Sequence, residues 1–202
     1  MDFSLTEEQE MLKTMARDFL EKECPVSLVR DMEVDETGYS AELWRKMAEL
    51  GWLGLPFPEE YGGSGGSFLD LTILLEEIGR AMVPGPFIPT VIHCGLPILE
   101  AGSDEQKHNF LPGIASGDII MTMALAEPEG AYTADSIETS AVLAGSDYMV
   151  SGTKLLVPFA HVAQHLLSVV KTDSGITLLL ADAGSTGLNL TPLITFASDK
   201  QF

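Results

Sequence analysis

Residues 58–70 read PEEYGGSGGSFLD, with four glycines (Gly62, Gly63, Gly65 and Gly66) leading into an apolar run. Glycines ahead of a helix can let backbone amides cradle a phosphate at its N-terminus. A dinucleotide fingerprint, however, needs a strand, then GxGxxG, then a helix within a βαβ unit. The preceding residues, GWLGLPFPEE at 51–60, carry Pro56, Pro58, Glu59 and Glu60, and no P-loop lysine follows. Those carboxylates would repel phosphate. The loop therefore reads as a connector into a helix that Ser67 and Asp70 cap.

The chain before this loop is helical in pattern. Thr6 and Gln9 form a capping box, after which Met11, Leu12, Met15, Phe19 and Leu20 recur at helical spacing. Pro25 ends or kinks that segment. A second run carries Leu43, Trp44, Met47 and Leu50, with Gly51 as its C-terminal cap. Beyond the loop, Leu71, Leu74, Leu75, Ile78 and Met82 make a broad stripe, and Ser103 with Gln106 opens a helix bearing Phe110 and Leu111.

After Gly117 the period changes. IIMTMALA, IETSAVLAG, DYMVSGTKLLV, HLLSVVKT and GITLLLADA are short β-forming runs, with GSD at 145–147, SG at 151–152 and DSG at 173–175 as hairpin-turn signals. The expected fold is multidomain α and β. An all-α helical domain at 1–118 precedes an antiparallel, β-barrel-like domain at 119–202. The final LITFASDKQF leaves a strand-like edge without a cap, so the β domain is read as incomplete and the chain as truncated.

With 202 residues, 46% of them hydrophobic, the chain can bury a substantial core. Thirty acids against eleven bases give a formal charge of −19, which disfavours nucleic acid and anionic membrane surfaces as partners. Lys154 and Lys171 are among the few bases that could meet a small anion. Cys24 and Cys94 have no disulfide or zinc spacing. The N-terminus, MDFSLTEEQE, lacks a targeting signature, and no apolar run is long enough to span a membrane, so membrane insertion is not expected and a cytoplasmic setting is.

The catalytic motifs are weak. His161 and His165 are four apart but lie where a loop enters a strand, and Val162 stands where a zincin would need glutamate, so no metal is expected. His93 and Cys94 read as packed core, and His108 as exposed. No GxSxG occurs, and Glu7–Glu8, Glu59–Glu60 and Glu76–Glu77 are sequence neighbours that diverge on a helix. One segment remains, MTMALAEPEGAYTAD at 121–135, where a strand runs into Glu-Pro and offers backbone groups to a ligand.

Taken in order, several blocks resemble the acyl-CoA dehydrogenase family of flavoproteins. They are FSLTEEQEMLKTMARDF, LWRKMAELGWLGLPFPEEYGGSGGSFLDLTILLEEIGRA, ALAEP and DYMVSGTKLLV. The resemblance implies FAD held between the β domain and a C-terminal helical bundle, and an acyl-CoA thioester stacked beside the flavin. A glutamate of that bundle would remove the α-proton, and electrons would pass to an electron-transfer flavoprotein. No catalytic residue is then expected in this chain, which alone would be inactive.

Carried over by motif, the cofactor positions are Met123, Leu125 and Ala126 on the strand, with Leu156 and Pro158 after Lys154. The substrate positions are Tyr132 and Thr133. Ala126 lacks the hydroxyl usual there, and Leu156-Val157-Pro158 replaces Trp-x-Thr. Tyr132 and GRAMVPGPF also resemble a branch that handles bulky acyl groups, some of whose members pair unequal subunits. The leading reading is the N-terminal portion of an FAD-dependent acyl-CoA dehydrogenase, as a homo- or hetero-oligomer. The alternatives are a non-catalytic partner subunit with a degenerate flavin site, and an acyl-CoA binding module without redox function.

Overall fold

The computed structural model describes residues 4–130, 133–196 and 199–202. Helix α1 (Glu7–Glu23) starts at the expected capping box, in which Gln9 N donates to Thr6 Oγ1 at 3.2 Å and Thr6 N to Gln9 Oε1 at 3.1 Å. Its buried residues are Ala16 and Leu20, whereas Met11 and Met15 are exposed, so the expected stripe is rotated. The cause is the partner. Helix α1 lies against α4 (Phe68–Arg80), and Arg17 on that face forks onto Glu77 at 3.0 and 2.7 Å. Glu77 is buried and Arg17 holds its carboxyl below the usual range, so a polar pair occupies the seam where a methionine stripe would have packed. Pro25 forms the N-cap of α2 (Val26–Val34) directly after α1 ends.

Helix α3 (Ala41–Glu49) buries Leu43, Trp44 and Met47 and stops at a left-handed glycine. Gly51, at φ +76°, donates to Ala48 O, and Trp52 N donates to Met47 O, satisfying two carbonyls of the last turn. Helix α4 ends in the same pair of bonds, from Met82 N to Gly79 O and from Val83 N to Ile78 O. There the left-handed position is Met82, at φ +52° and 57% exposed, outside the stripe to which its spacing assigned it. A side chain in that conformation costs about 1–2 kcal/mol relative to glycine.

The glycine loop closes on itself. After a 3-10 turn at Glu59–Tyr61, Gly63 N donates to Pro58 O, Ser64 N to Gly54 O, Gly65 N to Phe57 O and Gly66 N to Leu55 O. Those amides point at carbonyls of 54–58 and cannot serve an anion. Glycine is needed at 63 for close approach, since an added Cβ would lie 2.0 Å from Phe57 O and 2.4 Å from Gly54 O. The connector delivers the chain to Ser67, whose capping box with Asp70 starts α4.

A π-helix at Ile88–Gly95 runs into α5 (Leu96–Ala101) and then α6 (Asp104–Ala115). Cys94 is buried, as its apolar run suggested, but the neighbouring His93 is exposed. The strands are β1 (Met121–Ala124), β2 (Ser140–Ala144), β3 (Asp147–Ser151), β4 (His165–Thr172) and β5 (Gly175–Asp182). Two hairpins, β2–β3 and β4–β5, are antiparallel and turn at 145–146 and 173–174. Strand β1 instead runs parallel to β4, and β2 meets β4 in parallel at Ser140 and Lys171, so the sheet is mixed. Parallel pairing needs a long crossover, here everything from 125 to 164. The Ser151-Gly152 signal makes no hairpin; β3 ends there and irregular chain follows. One apolar core runs from Leu20, Trp44, Leu74 and Leu111 of the helices to Met121 and Leu167 of the sheet.

Two substitutions separate the two uses of glycine and its absence. Gly63→Ala should lower stability by about 3 kcal/mol, since backbone carbonyls must move. Met82→Gly should raise it by about 1 kcal/mol by relieving the left-handed residue. Urea unfolding of each variant measures both, and a Gly63→Ala variant as stable as the parent would refute the close-approach account.

Candidate functional site

Strand β1 is short, yet each end of it is fixed by side chains. The buried Thr90 hydroxyl, from the π-helix, donates to Met121 O at 2.9 Å and accepts from Met121 N at 3.2 Å. Thr122 Oγ1 donates to Pro158 O at 2.6 Å, and Gln164 Oε1 accepts from Ile120 N at 2.7 Å. The strand is thus stitched to the helices on one side and to residues 155–164 on the other.

At its C-terminal end the chain enters Glu127-Pro128. Leu155 N donates to Ala126 O at 2.9 Å, and Lys154 Nζ donates to Leu125 O at 3.2 Å and to Glu127 Oε1 at 2.6 Å. The Glu127 carboxylate also accepts from Glu138 N at 2.7 Å and Thr139 N at 3.0 Å, closing the loop that separates them. Of this ion pair Glu127 is buried, at 5% exposure, and Lys154 is mostly covered, at 10%. Burial alone would raise the Glu127 pKa, but Lys154 and the two amides overcome it and hold the group at about 2. A carboxylate held that acidic is a poor base at neutral pH.

The positions expected to meet a cofactor fall on two adjoining segments. Met123 is half-buried against the core, Leu125 is exposed and Ala126 half-buried. Leu156 is 52% exposed in a left-handed conformation at φ +56°. Val157 between them turns inward to Ala124, Ala160 and Leu166. Pro158 is half-buried, bridges to Gln201, and has its carbonyl taken by Thr122. The bonds from Leu155 to Ala126 and from Thr122 to Pro158 hold these segments side by side, so the structure brings the five positions together.

The fit to a flavin is apolar. Leu125 and Leu156 expose hydrocarbon on which a flat ring system can lie, while Ala126 and Pro158 bring no hydroxyl and Thr122 has spent its own on Pro158. Hydrogen bonds to such a ring would come from the main chain. Thr133 opens a short 3-10 turn at Ala134–Ser136, with its N–H donating to Ser136 Oγ at 3.3 Å. Tyr132 lies outside the described residues.

The remaining candidates are structural. His161 Nε2 meets Glu36 O at 3.0 Å and its ring stacks on Phe202, while His165 begins β4 with its ring edge-on to Phe110. His108 is exposed. Burial pushes the Cys94 thiol up to about 12, which leaves it unreactive. Lys154, one of the few bases that could have met a small anion, is committed to Glu127, and Lys171 is exposed. Among the described residues, no group of three or more His, Cys, Asp or Glu side chains is placed to hold a metal ion, and no helix is long and apolar enough to cross a membrane.

Sequence reasoning missed the partnership of Glu127 with Lys154 and the anchoring roles of Thr90 and Thr122. The signals present were the acid at a strand end and one of the chain's few lysines. Only the 27-residue return of the chain makes them a pair.

The family model described as "Acyl-CoA dehydrogenase, N-terminal domain" matches residues 6–118. The chain is 33% identical over 200 residues to the probable acyl-CoA dehydrogenase YngJ of Bacillus subtilis, which covers 95% of this chain and 52% of that protein. Its fold is similar to a chain of the ChsE4–ChsE5 complex from Mycobacterium tuberculosis, with a TM-score of 0.90 at 28% identity, over 100% of this chain and 54% of that one. It is also similar to an acyl-CoA dehydrogenase complexed with FAD from Bacillus anthracis, at a TM-score of 0.86 and 26% identity, over 98% of this chain and 35% of that one. The chain spans about half the length of the curated relatives it matches.

The Glu127 carboxyl titrates from about 2 in the folded chain against an ordinary 4.5, so its contribution to stability is complete above about pH 5 and is lost as pH falls toward 2. The difference is worth about 3 kcal/mol. Glu127→Gln should therefore be less stable than the parent at pH 7, with the gap narrowing as the pH is lowered. Thermal melts from pH 7 to 3 measure this, and a gap constant with pH would contradict the assignment.

Proposed function

The chain belongs to the acyl-CoA dehydrogenase family, and on that premise we propose that it is the N-terminal portion of an FAD-dependent enzyme that desaturates an acyl-CoA thioester between its α and β carbons. The observation that carries this reading is the fixed end of β1, where Met123, Leu125 and Ala126 stand beside Leu156 and Pro158 with two leucines exposed. FAD, when bound, would supply the hydride acceptor that no protein side chain offers. The chain's own part would be positional. The exposed leucines would pack on the ring system and exclude water, the backbone at the end of β1 and just beyond it would orient the ring, and Thr133, with Tyr132 by motif alone, would serve substrate binding.

The proton-removing glutamate belongs, in this reading, to the part of the relatives that this chain does not cover. Glu127, saturated by Lys154 and two amides, is not a substitute. Electrons would leave to an electron-transfer flavoprotein, and the working protein would be an oligomer. The 1–118 and 119–202 divisions are the domains we assign to it.

A second reading, a non-catalytic partner subunit, draws on Ala126 and Pro158, which bring no hydroxyl to the ring. Each hydrogen bond so lost is worth about 0.5–1.5 kcal/mol. The similarity to a chain of a two-component complex, ChsE4–ChsE5, fits that reading as well.

Flavin content separates the two. The complete protein, purified alone and with its partner, should carry FAD in this subunit. Flavin found only in sites built by another chain would favour the partner reading. Ala126→Thr and Pro158→Thr should each tighten FAD binding by about two- to tenfold, as expected for one recovered hydrogen bond. Unchanged dissociation constants for both would count against these positions as cofactor contacts.

A further inference from the structure

Lys154 and Glu127 form the one ion pair among the described residues in which neither side chain is more than 10% exposed. Apolar side chains of similar volume often stabilise such a place equally well or better, so stability alone does not account for the pair. Its geometry offers another account. The ammonium takes the carbonyl of Leu125, and the next residue's amide, Leu155 N, takes the carbonyl of Ala126. Among the described residues no peptide bond is cis, and in a trans peptide the N–H points opposite to the carbonyl of the same plane. Fixing the Leu125 and Ala126 carbonyls on Lys154 and Leu155 therefore aims the Ala126 and Glu127 amides the other way. The carboxylate meanwhile ties the returning loop at Glu138 and Thr139 to the same point.

We propose that Glu127 and Lys154 are positioning residues that aim the Ala126 and Glu127 amides at the flavin and couple that strand end to Glu138 and Thr139. This rests on the cofactor reading given above. It assigns the polar side of flavin recognition to the main chain, where the side chain at 126 has no hydroxyl to give. Neither residue touches substrate or takes part in proton transfer. Lys154 acts through the peptide planes that it orients, and Glu127 acts by holding Lys154 and the loop.

The test uses the complete protein and three variants, Lys154→Met, the double variant Glu127→Gln/Lys154→Met, and Lys154→Arg. For each, the FAD dissociation constant, the visible absorption spectrum of the bound flavin and the melting temperature of the apoprotein are measured. The double variant leaves no buried charge unpaired and should melt near the parent. It should nevertheless bind FAD about tenfold more weakly or worse, with a shifted flavin band, as outer-shell partners of other bound groups do when removed. Lys154→Arg keeps the charge but alters its reach and geometry, so it should shift the flavin band while the apoprotein melts as before.

A double variant with the parent's affinity and spectrum would overturn the proposal. So would variants whose apoproteins melt earlier while the flavin spectrum stays unchanged, which would make the pair structural only. If the double variant does not fold, Lys154→Arg decides by the same spectral criterion. A parent protein that binds no FAD would overturn the cofactor reading, and this proposal with it. A parent that binds FAD alongside unaffected variants would overturn the proposal alone.

Discussion

The structure depends on satisfying the backbone of one four-residue strand. Strand β1 is largely buried, and a buried main-chain polar group left without a partner costs as much as a lost hydrogen bond. One edge is met by β4, in parallel. Side chains from distant parts of the chain meet its first residue and the residues that flank it: Thr90 of the π-helix at Met121, Gln164 ahead of β4 at Ile120, and Lys154 after β3 at Leu125. The helices, the sheet and the irregular chain at 152–164 are therefore mutually dependent. Met121 and Leu167 of the sheet lie in the same apolar cluster as the helical residues.

Charge is organised around that centre. Among the described residues, seven of the chain's eleven lysines and arginines are in ion pairs: Lys13, Arg17, Lys22, Arg45, Lys46, Arg80 and Lys154. Most of these pairs are exposed and worth about 1 kcal/mol or less each. Glu77 and Glu127 differ because both are buried, and each is matched by more than one donor. In so acidic a chain, committing these bases to carboxylates leaves little positive potential for an anionic ligand. In the cofactor reading proposed above, recognition at the end of β1 would then rest on apolar contact and backbone dipoles.

Backbone strain is placed unevenly. Three non-glycine residues among those described adopt positive φ: Met82, Leu156 and Phe159. Met82 closes a helix by the same bonds that Gly51 makes without cost. Leu156 and Phe159 flank Pro158, on the segment facing β1, and neighbouring structure holds both in place. Val157 exchanges backbone bonds with Phe202, and Phe159 N donates to Lys200 O. Strain of about 1–3 kcal/mol persists where surrounding contacts over-determine the conformation, as they do here.

The sequence by itself determined the local elements and the family. The capping boxes at Thr6, Ser67 and Ser103, the glycine stop after α3 and the two hairpin turns are decided by residues within a few positions of each other, so periodicity and turn chemistry suffice to read them. The connector reading of the glycine loop was legible for the same reason, since Pro56, Pro58 and two glutamates adjoin it. Tertiary structure decided what local pattern could not. The face of α1 that is buried follows from Glu77 on α4, 60 residues away from Arg17. The parallel pairing of β1 with β4 follows from a crossover of about 40 residues. At the candidate site, Met123, Leu125 and Ala126 were read along one strand, of which β1 keeps only Met123 while Leu125 and Ala126 follow its end, and their neighbours could not be read at all. Lys154 finds Glu127, and Thr122 finds Pro158, only because the folded chain returns to β1 and its buried polar groups must be paired there.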